Sequence, residues 1–303
     1  NNYPANYQIT NNKETDKKES YYTTELLTTE LYDYQIDSEN NLNEILDFGT
    51  DKPVLMIVED DDEVRKFVSS LFTNHYRVKT AVNGKNAWTK IVTDIPDIII
   101  SDIMMPEMDG LELCRIIKTD KRTSHIPVIL LTAKTSVTFK YEGMETGADD
   151  YISKPFSAKY LAMRVKGLLL QRKQIQDHFF RNSIIQPKEL GISSLDQTLI
   201  KNAIQYIEEN LDNSQLSVVS LSIHLGLSRV HLYRKLKSIT NITAVEFIRN
   251  IRLKRAAQLF EAGNHSVKEV RYAVGIGDAT NFRNSFKKLY GVTPSEFIKQ
   301  QLS

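Results

Sequence analysis

The sequence of 303 residues is poor in cysteine and has no long apolar run. Its single cysteine, Cys114, excludes an intramolecular disulfide framework and favours a reducing compartment. The longest apolar runs, such as Val54–Val58, are far shorter than the about 20 residues of a membrane-spanning helix, and no signal peptide is recognisable. We therefore expect a water-soluble cytoplasmic protein, which at this length has two domains.

A strong net charge is also missing, since the formal value is +1, but the charges are unevenly distributed. Residues 1–50 carry 10 acidic and 3 basic residues, and residues 171–303 carry 11 acidic and 19 basic residues. A basic carboxyl-terminal third is typical of nucleic-acid binding. The polar residues 1–51 predict a largely disordered leader or linker with a short helix near Leu42–Leu46. Because the chain begins at Asn1, we expect it to be a piece of a longer protein.

From residue 52, short apolar runs alternate with amphipathic stretches. The predicted strands are Val54–Val58, Tyr76–Val82, Ile98–Asp102, Val128–Thr132 and Tyr151–Ile152. The predicted helices include Leu111–Lys118, one near Val137–Thr146 and Ser157–Leu170. Five such units in series predict a doubly wound parallel sheet over residues 52–170.

Polar groups stand at the ends of these strands. Glu59 and Asp60 follow the first, Asp102 ends the third, Thr132 ends the fourth and Lys154 follows the fifth. The carboxyl ends of parallel strands converge on one crevice, where three carboxylates would repel one another. They therefore require a cation, and ligation by oxygen alone suits Mg2+. We expect Asp60, Asp102 and the backbone carbonyl of Met104 to bind it directly, and Glu59 to bind it through water.

Asp102 beside such a cation could attack a phosphoryl group and form an acyl phosphate. Lys154 and Thr132 would neutralise or hydrogen-bond the phosphoryl oxygens. A single aspartate at a strand end is more often a helix cap, but the joint presence of five suitable groups outweighs that explanation. Asp102 is therefore the predicted phosphoacceptor.

The chain beyond residue 195 is patterned as helices only. A charged connector (171–195) containing His178-Phe179-Phe180 leads to two helix-turn-helix patterns, at 217–237 and 266–288, joined by a helix over Ala244–Phe260. Leu232, Leu236, Phe282 and Phe286 should face the core. The side chains predicted to face DNA are Val230, Tyr233 and Arg234 in the first pattern and Thr280, Asn281, Arg283 and Asn284 in the second, with Lys287 and Lys288 placed for phosphates.

The middle region resembles a response-regulator receiver domain over about residues 52–170. The motifs that carry the resemblance are Glu59-Asp60, Ser101-Asp102, Met105-Pro106-x-x-Asp109-Gly110, Leu131-Thr132-Ala133, Gly147-Ala148-Asp149-Asp150-Tyr151 and Lys154-Pro155-Phe156. The resemblance implies a flavodoxin-like sheet of order 2-1-3-4-5, a cis bond at Lys154–Pro155, and Thr132 with Tyr151 as a switch pair. Spacing alone leaves Asp61 and Asp62 as alternatives in the first acidic pair, whereas the register of the family favours Glu59 and Asp60.

The carboxyl-terminal region, residues 196–303, resembles an AraC-type DNA-binding domain. The motifs are Ser228-x-x-His231-Leu232-Tyr233-Arg234-Lys235-Leu236-Lys237, Ile251-Arg252-Leu253-x-x-Ala256 and Phe286-Lys287-Lys288-x-Tyr290-Gly291-Val292-Thr293-Pro294. The resemblance implies two recognition helices in successive segments of the major groove. Arg271 stands where the family usually has a small residue, and it could add a phosphate contact or loosen the packing.

The combination resembles the carboxyl-terminal portion of a hybrid two-component system protein of Bacteroidetes type. It implies a phosphorelay in which a histidine kinase domain, in the same parent chain or another, phosphorylates Asp102. The implied partners are double-stranded promoter DNA, a second copy of the chain in the active state, and RNA polymerase. The parent could be anchored in the inner membrane, and this piece would be a phosphoacceptor rather than an enzyme.

Two other functions remain open at this point. The receiver could be a phosphate sink or relay beside constitutive DNA binding, or the protein could be an interaction scaffold. No residue of the connector shows how phosphorylation would be coupled to DNA binding.

Overall fold

The structure, a computed structural model, describes residues 52–133, 146–181, 192–213, 215–263 and 266–301. The predicted leader, most of the helix expected near Val137–Thr146, and residues 182–191 of the connector lie outside the described residues. The chain divides into two compact units. The first contains the described residues up to Ala87, with Pro96–Leu111 and Val128–Gly167, and the second contains Trp88–Ile95, Glu112–Pro127 and the described residues from Leu168 onwards.

A single parallel sheet forms the centre of the first unit, in the order β2-β1-β3-β4-β5. Its strands are β1 (Val54–Val58), β2 (Arg77–Ala81), β3 (Ile98–Asp102), β4 (Val128–Thr132) and β5 (Asp150–Ser153). All residues of β1 and β3 are buried, as expected for parallel strands that are covered on both faces. The predicted fold and strand order are confirmed, and β1, β3 and β4 have the predicted bounds.

In the part of the chain that the structure describes, four helices accompany the strands: α1 (Asp62–Phe72), α2 (Gly84–Thr93), α3 (Gly110–Thr119) and α4 (Ala158–Arg181). Helix α1 begins at a side-chain cap, because the Asp61 carboxylate accepts hydrogen bonds from the backbone N–H groups of Glu63 and Val64, each at 2.9 Å. Helices α2, α3 and α4 begin in the first unit and end in the second.

Helix α4 is longer than the sequence pattern predicted. We expected it to end at Leu170, but it continues to Arg181, through the first part of the predicted connector. Residues 171–176 have the polar composition of a linker, yet Gln, Arg and Lys are also good helix formers. Ile175 packs against an apolar cluster of the second unit, which gives this extension a tertiary contact.

The second unit continues with seven helices in the described residues. They are α5 (Ser194–Glu209), α6 (Val218–His224), α7 (Arg229–Thr240), α8 (Ala244–Glu261), α9 (Val267–Ala273), α10 (Ala279–Tyr290) and α11 (Pro294–Gln301). The central helix α8 contributes to two apolar clusters, with Phe247 in the first and Leu253 in the second. The side chains predicted to face the core are all buried: Leu232, Leu236, Phe282 and Phe286. None of the described helices has the length and apolar character that a membrane crossing requires.

Side-chain caps fix where the helices of the second unit begin. Ser217, Ser228, Thr243, Ser266 and Asp278 each accept a hydrogen bond from the backbone N–H three residues later. Such a cap is typically worth about 1 kcal/mol, since it satisfies a donor that the helix leaves unpaired. The helix boundaries are therefore encoded locally, and the two predicted helix-turn-helix patterns are confirmed.

The loop after β3 closes only because residue 110 is glycine. The Gly110 N–H donates to the Ile103 carbonyl oxygen at 2.9 Å, and a β-carbon at this position would overlap with the backbone oxygen of Asp102. We expect Gly110→Ala to lower the free energy of unfolding by about 1–3 kcal/mol, the usual cost of overpacking. Urea unfolding followed by circular dichroism measures this change.

Gly167→Ala is the matched control. Gly167 lies within α4, and a β-carbon there would meet nothing within 4 Å. Replacing a helical glycine by alanine should stabilise the protein by about 0.5–1 kcal/mol. A similar loss of stability in both variants would contradict the steric explanation for Gly110.

Candidate functional site

Three carboxylates meet at the carboxyl end of the sheet. Glu59 and Asp60 follow β1, and Asp102 ends the neighbouring strand β3. One carboxylate oxygen from each residue lies within 4.8 Å of the other two. Glu59 and Asp102 are only 3% and 7% exposed, whereas Asp60 is exposed. The structure thus brings the three predicted acids together.

Asp61 and Asp62, the two alternative residues for the first acidic pair, make other contacts. Asp61 caps α1, and the Asp62 carboxylate pairs with Arg65 and Lys66 at 2.5 and 2.6 Å. These contacts agree with the family register, in which Glu59 and Asp60 form the pair.

The Lys154 ammonium lies between two of the three carboxylates. Its Nζ is 2.8 Å from Glu59 Oε2 and 3.2 Å from Asp102 Oδ1. The Ile103 N–H also donates to Asp102 Oδ1, at 2.9 Å. The backbone N–H of Lys154 donates to the carbonyl oxygen of Thr132 at 2.7 Å, and the Lys154–Pro155 peptide bond is cis. Lys154 therefore connects the chain after β5 to the ends of β1 and β3.

Burial dominates the electrostatics of this cluster. It raises the pKa of Glu59 to about 7, although the charge of Lys154 opposes the shift. Burial also raises the pKa of Asp102, again against Lys154. For Lys154 burial acts to lower the pKa, but the charges of Asp102 and Glu59 raise it above its ordinary value. One ammonium is too little charge for three carboxylates, and an all-oxygen donor set with surplus negative charge fits Mg2+.

The other predicted residues of this site lie close by in the chain or the sheet. Thr132 ends β4, one residue beyond Leu131, which is paired in register with Asp102. Tyr151 lies on the adjacent strand β5, and its hydroxyl is 2.7 Å from Thr146 Oγ1. Met104 follows Asp102 by two residues, and its side chain is 65% exposed. The predicted switch pair therefore occupies neighbouring strands.

Two residues that the sequence analysis did not single out shape the loop after β3. Asn83 Nδ2 donates to Glu107 Oε1 at 2.9 Å, and the Gly84 N–H donates to the Met108 carbonyl at 3.0 Å. Glu107 has a φ of 66°, which is uncommon for a residue with a side chain. The Asn83-Gly84 dipeptide is a strong turn signal. It is the feature of the sequence from which a turn at this position could have been predicted.

The second unit contains two helix-turn-helix elements. In the first, α6 and α7 are joined by a turn with Gly226 at φ 67°, and in the second, α9 and α10 are joined by a turn with Gly275 at φ 66°. Helix α10 exposes all its predicted DNA-facing side chains: Thr280, Asn281, Arg283, Asn284, Lys287 and Lys288. On α7, Val230 and Tyr233 are exposed as predicted.

Arg234 was predicted to point outward towards DNA, but its exposure is lower than that of Val230 and Tyr233. It is half-buried, and its Nη1 donates to the carbonyl oxygen of Thr93 at 3.2 Å within the second unit. The two recognition helices are therefore not equally accessible.

The sequence matches the family model for the response regulator receiver domain over residues 55–166 and a helix-turn-helix domain model over residues 221–300. It is 32% identical over 178 residues to the transcriptional regulatory protein AfsQ1 of Streptomyces coelicolor, which covers 58% of this chain and 72% of that protein. The chain belongs to the response-regulator family. Its receiver is joined to an AraC-type helix-turn-helix domain, and the two together indicate a two-component DNA-binding regulator.

The chain is also similar to part of a longer histidine kinase. It is 42% identical over 270 residues to histidine kinase P4 of Formosa agariphila, which covers 88% of this chain and 20% of that protein. The chain therefore spans about a fifth of the length of this relative. A solved structure of the receiver domain of Francisella response regulator 1452 is 36% identical, covers 40% of this chain and 98% of that one, and has a TM-score of 0.37.

Arg271 has neither of the two effects considered from the sequence. It is buried, and its Nη1 donates to the carbonyl oxygens of Ile276, at 3.1 Å, and Gly277. Its guanidinium carbon also lies 4.3 Å from the centroid of the Tyr272 ring. Arg271 thus stabilises the turn of the second helix-turn-helix element through hydrogen bonds. It neither loosens the packing nor points towards a phosphate.

Lys235 of the first recognition helix is buried, which the sequence analysis did not predict. It is fully buried, and its Nζ lies 2.5 Å from Asp196 Oδ1 and 2.7 Å from Ser124 Oγ. Burial lowers the pKa of Lys235, although the charge of Asp196 opposes this. Its spacing of three residues from Leu232 and four from Ile239 places it beside the core face, but a lysine is assigned to solvent by residue type.

Replacing Asp60 tests the acidic cluster as a metal site. We expect Asp60→Asn to weaken Mg2+ binding about 10- to 100-fold, since even groups that only support metal ligands have effects of this size. Isothermal titration with MgCl2 measures the affinity. Asp62→Asn is the control, because that carboxylate pairs with Arg65 and Lys66 instead, and its affinity should equal that of the wild type. Unchanged affinity in Asp60→Asn would exclude Asp60 as a ligand.

Proposed function

We propose that the chain is a phosphorylation-controlled transcription regulator in which Asp102 accepts a phosphoryl group from a histidine kinase and the carboxyl-terminal domain binds promoter DNA. The observation that supports this most directly is the Lys154 ammonium, 3.2 Å from the buried Asp102 in a cluster with buried Glu59 and exposed Asp60. A carboxylate supported in this way can serve as a nucleophile and form an acyl phosphate.

Asp102 performs the transfer through one carboxylate oxygen. This oxygen forms a bond to phosphorus as the phosphorus–nitrogen bond of a phosphohistidine breaks, and the electron pair of that bond returns to the imidazole. Lys154 pairs with one phosphoryl oxygen and the Thr132 hydroxyl donates to another. Bound Mg2+, held by Asp60, Asp102 and the Met104 carbonyl with Glu59 acting through water, would supply further positive charge to the phosphoryl oxygens.

The switch follows from the position of Tyr151. Its hydroxyl is hydrogen-bonded to Thr146, and this bond must break before the ring can turn inward behind Thr132. A neutral hydrogen bond contributes about 0.5–1.5 kcal/mol net, whereas one to a charged group contributes about 1.5–3 kcal/mol. A new bond from Thr132 to the phosphoryl group is therefore strong enough to offset the loss.

DNA binding uses the two recognition helices α7 and α10. The exposed polar row of α10 suits base edges and phosphates, and Val230 and Tyr233 on α7 suit apolar contacts such as thymine methyl groups. Two helices joined through α8 fit successive major-groove segments about one turn apart. Phosphorylation would promote contacts between two copies of the chain, and RNA polymerase would be the further partner at a promoter.

Asp102→Asn should abolish phosphorylation and any change in DNA affinity that depends on it. The protein is treated with acetyl phosphate, or with beryllofluoride and Mg2+, and its mass and its affinity for a duplex selected from a random pool are measured. The wild type should gain mass with acetyl phosphate and bind DNA more tightly after either treatment. Asp62→Asn should behave like the wild type. Equal DNA binding by the wild type and Asp102→Asn under every condition would refute the phospho-switch.

A phosphate sink or relay with constitutive DNA binding is the second candidate. The observation that favours it is the exposure of all the predicted DNA-facing side chains of α10, which are accessible to DNA as they stand. A short-lived aspartyl phosphate combined with unchanged DNA affinity in the same experiment would support this candidate over the first.

Replacing Lys287 and Lys288 by alanine tests the phosphate contacts of α10. We expect weaker binding to all duplexes and a salt dependence of log affinity that is shallower by about 0.9 per lysine, because fewer counterions are released. Fluorescence anisotropy at several salt concentrations measures both. Lys66→Ala is the control, since this exposed lysine lies on α1. An unchanged slope in the double variant would exclude Lys287 and Lys288 as phosphate contacts.

A further inference from the structure

Helix α7 is covered along one side within the second unit. Its side chains at 231, 234, 235 and 238 share a face, and none of the four is fully exposed. Val230 and Tyr233, on a different face, are 57% and 47% exposed. Helix α10, the matching recognition helix, exposes its whole polar row. The difference points to a specific contact at α7.

A buried polar triad lies at the centre of this contact. Ser124 Oγ donates to Asp196 Oδ1 at 2.9 Å, and the Lys235 ammonium is within 2.7 Å of both side chains. The three residues are 2%, 2% and 0% exposed. Ser124 belongs to residues 112–127, which form part of the same compact unit as α7. We call Ser124, Asp196 and Lys235 the polar latch.

Two further contacts hold the same face of α7. Arg172 and Gln176 of α4 both donate to Ser238 near the end of α7, with Gln176 Nε2 at 2.6 Å from the Ser238 carbonyl oxygen. Arg234 donates to the carbonyl oxygen of Thr93 at 3.2 Å. Arg234 is thus half-buried with one guanidinium N–H engaged by a protein carbonyl, so it is less available to DNA than the exposed side chains of α10.

We propose that the polar latch holds α7 in a closed state that withholds Arg234 from DNA, so that α10 binds first and α7 engages only when the latch opens. The inference rests on the proposed DNA-binding function. If only open molecules can bind DNA through both helices, the apparent affinity for that binding mode equals the intrinsic affinity multiplied by the open fraction. Ser124 joins the latch through two hydrogen bonds, whereas the Asp196–Lys235 pair connects α5 and α7 and can persist when Ser124 separates. Few bonds therefore have to break for α7 to leave residues 112–127.

The test opens the latch without changing α7 or α10. Ser124→Ala removes two hydrogen bonds of the latch and leaves the Asp196–Lys235 pair intact, and Gln176→Ala removes a bond to Ser238. For the double variant we expect about tenfold tighter binding to a duplex selected with the wild type, since each lost bond shifts the equilibrium by a few-fold. Hydroxyl-radical footprints should extend from one major-groove segment to two, about 10 base pairs apart. Amide hydrogens of residues 229–240 should exchange faster.

Arg234→Ala, introduced into both backgrounds, gives an independent measurement. It should weaken binding strongly in the opened variant and only slightly in the wild type, because Arg234 is withheld in the closed state. An equal loss in both backgrounds, or a wild-type footprint that already spans two segments, would overturn the latch.

The outcomes separate the latch from the function on which it rests. If neither protein binds any duplex, the proposed DNA-binding function fails. If both bind with the same affinity and footprint, DNA binding stands and the latch is refuted. Far-UV circular dichroism checks that the double variant is folded, and Ser124→Ala alone replaces it if it is not, with the same direction of change expected.

Discussion

The receiver depends on one interaction, the Lys154 ammonium held between the carboxylates of Glu59 and Asp102. It joins the chain beyond β5 to the ends of β1 and β3 and places positive charge beside two buried acids. Removing Lys154 would leave two buried carboxylates without their cation, and breaking a buried pair in this way typically costs about 3–5 kcal/mol, a large share of the about 5–15 kcal/mol by which a domain is stable. The site therefore cannot be separated from the stability of the sheet that carries it.

A second buried ion pair, Lys235 with Asp196, has a comparable role in the helical domain. Both pairs place a lysine where burial works against its charge, and in both the compensating carboxylate comes from a different element of the chain. The two sites differ in the ratio of carboxylates to ammonium groups. The receiver site has an excess of carboxylates and attracts cations, whereas Lys235 has one carboxylate and a serine hydroxyl as its partners. This asymmetry suits the first site to ligand chemistry and the second to holding a helix in place.

The sequence predicted the elements whose residues have unambiguous solvent preferences. The bounds of β1, β3 and β4 were correct because short runs rich in Val, Ile and Leu that alternate with amphipathic stretches are typical of buried parallel strands. Strand β5 is longer than predicted at both ends, since Asp150 and Ser153 do not look like strand residues and Asp150 is held by Arg164. The predicted end of helix α4 was too early, because the polar residues that extend the helix resemble a linker.

The grouping of Glu59, Asp60, Asp102 and Lys154 was also predictable, because the topology of a parallel sheet gathers its strand ends. The burial of Lys235 and Arg271 was not. Both are charged residues whose partners, Asp196 and the carbonyl oxygens of the turn after α9, lie on other elements or in a loop. Such pairings depend on how the elements pack, which residue type and periodicity do not specify.

The side-chain caps of the helical domain have a consequence for how such regulators diversify. Helices α7 and α10 each begin at a residue, Ser228 or Asp278, that holds the first turn whatever follows on the outer surface. Buried Leu and Phe side chains then fix the inner surface. The exposed side chains of Val230 and Tyr233 on α7 and of the polar row of α10 take no part in these caps or in the buried core, so substitutions there should leave the fold intact. Such substitutions can change the chemistry of the outer surface while the caps and the buried core stay the same.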